Sequence, residues 1–180
     1  MTIFPRALVG RVSSGVLVLG LWYAAGITHS DPVGNQVMLV NARTNKCLTI
    51  AGGESTANNI QALQFDCDSH PSRRWRLNQT TGDNIYQIKN VQTGKCLTIA
   101  GGENPANNVT AVQFDCDNHP SRTWTINDKT GSGIHQIKNV QTGKCLTIAG
   151  GENPANNVTA VQFDCDNHPS RTWTIRLKLQ

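Results

Sequence analysis

Six cysteines carry the most readable chemistry in the chain. Cys47, Cys96 and Cys145 are each followed 20 residues later by a second cysteine (Cys67, Cys116 and Cys165), and the pair recurs every 49 residues. Thiols in such a pattern either hold a metal or oxidise to bridges. No two lie two to four residues apart, as zinc ligands do. The spacing therefore favours disulfides Cys47–Cys67, Cys96–Cys116 and Cys145–Cys165, because each repeat then reproduces one local geometry. By the chain-entropy estimate a loop of this length contributes about 3 kcal/mol per bridge.

Other reactive groupings are weaker. Asp115-Cys116-Asp117-Asn118-His119 sets oxygen donors beside an imidazole, as a metal loop does, but His119-Pro120-Ser121 is equally a turn. No metal ligand set and no cofactor is assigned. No repeat has a serine or cysteine nucleophile beside a base, or a glycine loop shaped for phosphates, and scattered acids do not make a glycosidase pair. The chain is read as a non-enzyme. Its net charge of +4 comes from Lys and Arg interleaved with Asp and Glu, without a run of five like charges. Nucleic acid is not an expected partner.

The elements that position these residues are repeats. Trp75, Trp124 and Trp173 share the 49-residue spacing, and Ile85 to Ile126 matches Ile134 to Ile175 except for Tyr86 against His135. The boundaries are about 35–84, 85–133 and 134–180. Within the second repeat, extended segments are expected at Tyr86 to Val91, Cys96 to Ile99, Val109 to Cys116 and Thr123 to Ile126, each rich in Val, Ile, Thr or aromatics. The turns between them hold Gly, Asn, Asp and Pro. No stretch has helical apolar spacing, so the fold class is all-β, about twelve strands in three sets of four. One set cannot bury its own apolar face, whereas three closing around an axis can. Each tryptophan is expected in the core.

The N-terminus differs. Met1 to Arg11 carries Arg6 and Arg11 and no acid, and Val12 to Ile27 is almost wholly apolar or small. This is the layout of a signal peptide over residues 1–30, with cleavage after Gly26 or Ser30. The apolar run falls short of the roughly 20 residues that span a bilayer. The mature domain, 31–180, is then a secreted protein in an oxidising compartment, with no membrane insertion after cleavage.

A tandem of three units of the form KNVQTGKCLTI … AVQFDC … SRTW resembles the ricin B-type lectin family, over Asn35 to about Lys178. The resemblance implies a β-trefoil whose lobes bind sugars, often galactose-type, in shallow pockets. It places the family's aromatic platform on Phe65, Phe114 and Phe163. The family's pocket aspartate falls on Thr49, Thr98 and Thr147, and its Asn-Gln pair on Ser72-Arg73, Ser121-Arg122 and Ser170-Arg171. A threonine cannot accept two hydroxyl hydrogen bonds at charge-assisted strength as a carboxylate does. The replacement acceptors ranked first are Asp66, Asp115 and Asp164, then Glu54, Glu103 and Glu152, with Gln64, Gln113 and Gln162 as amide partners. Arg73, Arg122 and Arg171 beside an aromatic face suit carboxylated or sulfated sugars.

Strand alternation offers a different role for the phenylalanines. Val112, Phe114 and Cys116 share a face, which would make Phe114 core; a bulge at the barrel rim would instead turn it outward. Both remain open at the level of sequence. The expected function is a monomeric, secreted lectin whose three weak sites add up on a polyvalent surface. The rivals are a trefoil that binds a protein target such as a protease, and an accessory module for a separate glycan-degrading enzyme.

Overall fold

Twelve short strands follow one another in the computed structural model, which describes residues 36–128, 131 and 133–177. The expected signal peptide lies outside the described residues. The first lobe holds β1 (Gln36–Asn41), β2 (Cys47–Ile50), β3 (Ala62–Phe65) and β4 (Trp75–Gln79). The second holds β5 (Ile85–Asn90), β6 (Cys96–Ile99), β7 (Ala111–Phe114) and β8 (Trp124–Asp128). The third holds β9 (Ile134–Asn139), β10 (Cys145–Ile148), β11 (Ala160–Phe163) and β12 (Trp173–Leu177).

All neighbouring strands pair antiparallel. β1, β4, β5, β8, β9 and β12 form a closed ring, β1 returning to β12 through Val37 to Asn41 against Leu177 to Trp173. Closure leaves the ring without an edge strand. The hairpins β2–β3, β6–β7 and β10–β11 cap one end, each with four paired positions. This is the β-trefoil that the repeats and the family resemblance imply.

Two expected boundaries shift for a physical reason. Val109 to Cys116 shortens to Ala111–Phe114 because its first residues also serve the next lobe: the Gln162 amide donates to the Val109 carbonyl at 2.9 Å, and Thr110 bridges to Val161. The His-Pro-Ser turn tightens into a single 3₁₀ turn, Pro120–Arg122, capped by the His119 side chain. Its counterparts are Pro71–Arg73 and Pro169–Arg171.

The core repeats with the sequence. Trp75, Trp124 and Trp173 are fully buried, stacked with Leu48, Leu97, Leu146 and with Ile50, Ile99, Ile148. Burying an indole N–H without a partner would be costly. Each donates instead to a hairpin carbonyl of its own lobe: Trp75 to Leu48 at 3.0 Å, Trp124 to Leu97 and Trp173 to Leu146 at 2.9 Å. The expected disulfides Cys47–Cys67, Cys96–Cys116 and Cys145–Cys165 are formed, and no described cysteine is free.

The lobes are joined by a cyclic set of polar bonds. Gln113 on β7 has no exposed surface; its Oε1 accepts from the Thr93 hydroxyl at 2.8 Å, and its Nε2 donates to the Ser55 and Ala57 carbonyls of the first lobe at 2.7 Å. Gln64 does the same to Asn153 and Ala155 of the third lobe, and Gln162 to Asn104 and Ala106 of the second. Buried Asn90 adds a bond from its Nδ2 to the Ser72 carbonyl at 2.8 Å, with Asn41 and Asn139 in the equivalent places. Gln113→Ala strands two loop carbonyls of another lobe and a hydroxyl of its own, so a loss of about 2–4 kcal/mol is expected from hydrogen-bond energetics. The check is urea unfolding, with a lower midpoint at an unchanged slope.

Candidate functional site

Each lobe has a shallow cavity where its glycine hairpin meets its 3₁₀ turn, of about 350, 320 and 280 Å³ in the first, second and third lobes. In the second lobe the wall is made by Gly102, Glu103, Phe114, His119, Arg122 and, from the first lobe, Asn59. Asn157 and Asn108 take the place of Asn59 in the other two, so every cavity is completed by the preceding lobe around the ring. These asparagines have φ of 64 to 66°, a left-handed conformation that Asn tolerates better than most residues.

Local sequence explains the shape. Gly102 adopts φ 75°, and a Cβ there would sit 3.3 Å from the Ser121 hydroxyl and 3.7 Å from the His119 ring. The hairpin can therefore lie close over the 3₁₀ turn only as glycine. His119 Nδ1 accepts from the Ser121 amide at 3.2 Å, which directs Nε2 outward to within 3.7 Å of the Glu103 carboxylate. His168 and Glu152 repeat this at 3.9 Å, although Glu152 is also held by Arg43 at 3.1 Å.

The arginines are largely enclosed. The Arg122 guanidinium lies 4.5 Å from the centroid of the Phe114 ring, and Arg73 and Arg171 lie over Phe65 and Phe163 at 4.4 and 4.3 Å. Each side chain is only 11 to 13% exposed and is paired with an aspartate, Asp68, Asp117 or Asp166, at 3.2 to 3.3 Å. A cation over an aromatic face is attractive, and here it is already neutralised. One face of each phenylalanine is thus covered by a guanidinium.

Three overlapping stretches of the sequence, residues 21–115, 80–163 and 120–179, match the model of the ricin-type beta-trefoil lectin domain-like family. The chain belongs to this family. No curated protein matches the sequence. Among solved structures, the designed 3-fold symmetric protein ThreeFoil superposes with a TM-score of 0.74 at 19% identity, over 81% of this chain and 99% of that one. The Rhizoctonia solani agglutinin gives 0.70 at 20%, over 81% and 96%. An exo-beta-1,3-galactanase from Clostridium thermocellum gives 0.75 at 22%, over 82% of this chain but 31% of the enzyme. These likenesses show a shared fold.

Set against the family pattern, the residues singled out from sequence separate into distinct groups. Phe65, Phe114 and Phe163 and their arginines line the cavities. The phenylalanines are half-buried and face the cavity; on β7 it is Ala111 and Gln113 that point inward, so alternation assigned the core to the opposite face. Thr98, at the family's carboxylate position, is buried and bonded to the Ser121 carbonyl at 2.9 Å.

Gln64, Gln113 and Gln162 have no exposed surface, and their amides are spent on the junctions described above. Asp66, Asp115 and Asp164, ranked first as acceptors, stand outside the cavity walls and clamp the junctions too. Asp115 accepts from Asn58 of the first lobe at 2.8 Å and pairs with Lys95; Asp164 pairs with Asn107 and Lys144, and Asp66 with Asn156 and Lys46. The carboxylate that does line a cavity is Glu103, from the second-ranked set. Sequence reasoning missed His70, His119 and His168 as wall residues. The signal for them was the turn itself, since a histidine that caps through Nδ1 must direct Nε2 elsewhere.

The clamps have a pH signature. Asp66, Asp115 and Asp164 all have pKa values lowered from the usual carboxylate range, first by the hydrogen bond from Asn156, Asn58 or Asn107 and then by the lysine. A carboxyl group with a lowered native pKa stabilises the fold above its unfolded pKa, and that contribution disappears as pH falls through the native value. Stability is expected to hold down to about pH 4, near the ordinary aspartate pKa, and then to decline. Thermal unfolding across pH 2 to 7 checks this, and Asn58→Ala, Asn107→Ala, Asn156→Ala combined should flatten the acid limb.

Proposed function

We propose that the protein is a secreted carbohydrate-binding protein that holds neutral sugar rings in the lobe cavities. The observation that carries this reading is the wall of the second-lobe cavity, where a partly exposed Phe114 stands opposite a carboxylate, Glu103, and an outward-facing imidazole nitrogen of His119. A sugar presents an apolar C–H face and adjacent hydroxyls. The ring edge and the stacked guanidinium provide an amphipathic wall for the first. Glu103 accepts from hydroxyls at charge-assisted strength and His119 Nε2 donates to a ring or hydroxyl oxygen.

Neutral sugars fit better than acidic ones because each cavity arginine already has its aspartate and little exposed surface. The sites are unequal: Glu103 is a wall residue, whereas Glu152 is drawn to Arg43 and Glu54 is not among the wall residues of the first cavity. The second lobe is therefore the principal site, and the other two add avidity on a polyvalent surface. Three disulfides fit an oxidising, extracellular setting.

A glycan array with the oxidised protein tests the reading. Binding should concentrate on one class of neutral sugar, and Glu103→Gln should weaken it tenfold or more while the unfolding midpoint stays in place. A blank array from a folded protein would remove the sugar-binding reading.

A further inference from the structure

The second and third lobes are nearly identical, and the first keeps their cysteines, tryptophan and glycine pair while differing at many surface positions, which the fold therefore does not fix. One such departure covers the barrel wall formed by β12, β1, β4 and β5. On these strands Trp75, Val37, Leu39 and Ile88 point into the core, so the residues alternating with them face outward. Those outward positions include Arg76 and Lys89, directly paired across β4 and β5, and Arg176, paired with Met38 across β12 and β1. Arg74, two residues before Arg76, donates to the Gln36 carboxamide at 3.3 Å, and Gln36 is itself the cross-strand partner of Arg76.

The equivalent positions 49 residues on read Thr123 for Arg74, Thr125 for Arg76 and Lys138 for Lys89; those of the third lobe read Thr172 and Thr174. Arg176 corresponds to Asn78 and Asn127. One wall thus carries three arginines where its counterparts carry threonine and asparagine, beside a lysine that recurs once, as Lys138. Like charges directly opposite on a sheet are destabilising. Among the described residues, none of Arg74, Arg76, Lys89 and Arg176 has a carboxylate within ion-pair distance. No described carboxylate offsets the repulsion between Arg76 and Lys89.

We propose that this wall is a binding site for a sulfated polysaccharide, separate from the lobe cavities. The cluster follows the outer, convex face of the closed ring across the neighbouring strands β12, β1, β4 and β5. That form suits an extended chain with anions at intervals, and a guanidinium fork matches two oxygens of a sulfate group. The intervening outward residues Gln36 and Met38 offer no aromatic ring on which nucleic-acid bases would stack.

The test uses the oxidised protein and heparin as the sulfated polysaccharide, by salt elution from a heparin column and by titration calorimetry. Arg74→Thr with Arg76→Thr installs residues that the other two lobes already carry there, and should elute at lower salt with at least a tenfold loss of affinity; Arg176→Asn should move the same way. Arg43→Gln with Lys138→Val removes the same charge elsewhere and should leave elution near that of the parent. Equal shifts for the two double variants would mean bulk charge alone and overturn the site. So would loss of heparin binding in Arg122→Gln at an unchanged unfolding midpoint, which would put the anion in a cavity, or binding to phosphatidylglycerol vesicles without binding to heparin, which would make the partner a membrane surface.

Discussion

The junction between lobes is the constraint on which the rest of the molecule depends. A four-stranded lobe cannot cover its own apolar face, and the hairpin loop that would seal it carries backbone carbonyls that need donors. Gln113 supplies those donors from the neighbouring lobe, with Oε1 tied to its own lobe through Thr93. Each lobe therefore gives a glutamine on one side and receives one on the other. Such a head-to-tail contact is complete only when the rotation closes, which happens at three lobes. Keeping the glutamine, its threonine and the receiving loop in every repeat carries both halves of one junction three times.

The cavities inherit this arrangement. Asn59 enters the second-lobe cavity because its amide donates to the Gln113 carbonyl at 2.8 Å, a bond of the junction itself. The Asp115 clamp to Asn58 sits one residue earlier on the same loop. Site and closure thus share their backbone. A change that loosens the junction alters the cavity, whereas a change at Glu103, whose side chain is 72% exposed, leaves the junction untouched.

Much of the fold was legible because its signals are local. The turn residues and the strand composition place the four strands of the second lobe within a few residues, the 49-residue spacing repeats them in the other lobes, and the tryptophans lie in the core as expected. What was illegible involves partners in another lobe. From sequence Asp115 reads as a free acceptor beside Phe114, whereas in the fold it accepts from Asn58 across the junction, and Gln113 reads as a free amide, whereas its Nε2 is bonded to loop carbonyls of the first lobe. The choice that sequence left open at Phe114 has a related cause: β7 is covered on both faces, by the core on one side and by the 3₁₀ turn with Arg122 on the other, so apolar character does not mark the inside.

The distribution of positive charge follows the same division between what closure fixes and what it leaves free. Arg73, Arg122 and Arg171 recur in every lobe, each stacked on its phenylalanine and paired with its aspartate. Repetition and enclosure together mark them as parts that shape the cavity wall, with their charge spent internally. Arg74, Arg76 and Arg176 occur once and bear on no junction glutamine or core tryptophan. Threonine and asparagine at the matching positions show that the barrel closes without them. Charge that the fold does not require and that no described carboxylate neutralises gains most on contact with an opposite charge. On the proposed reading, neutral sugar rings go to the cavities and anionic ligands to the wall.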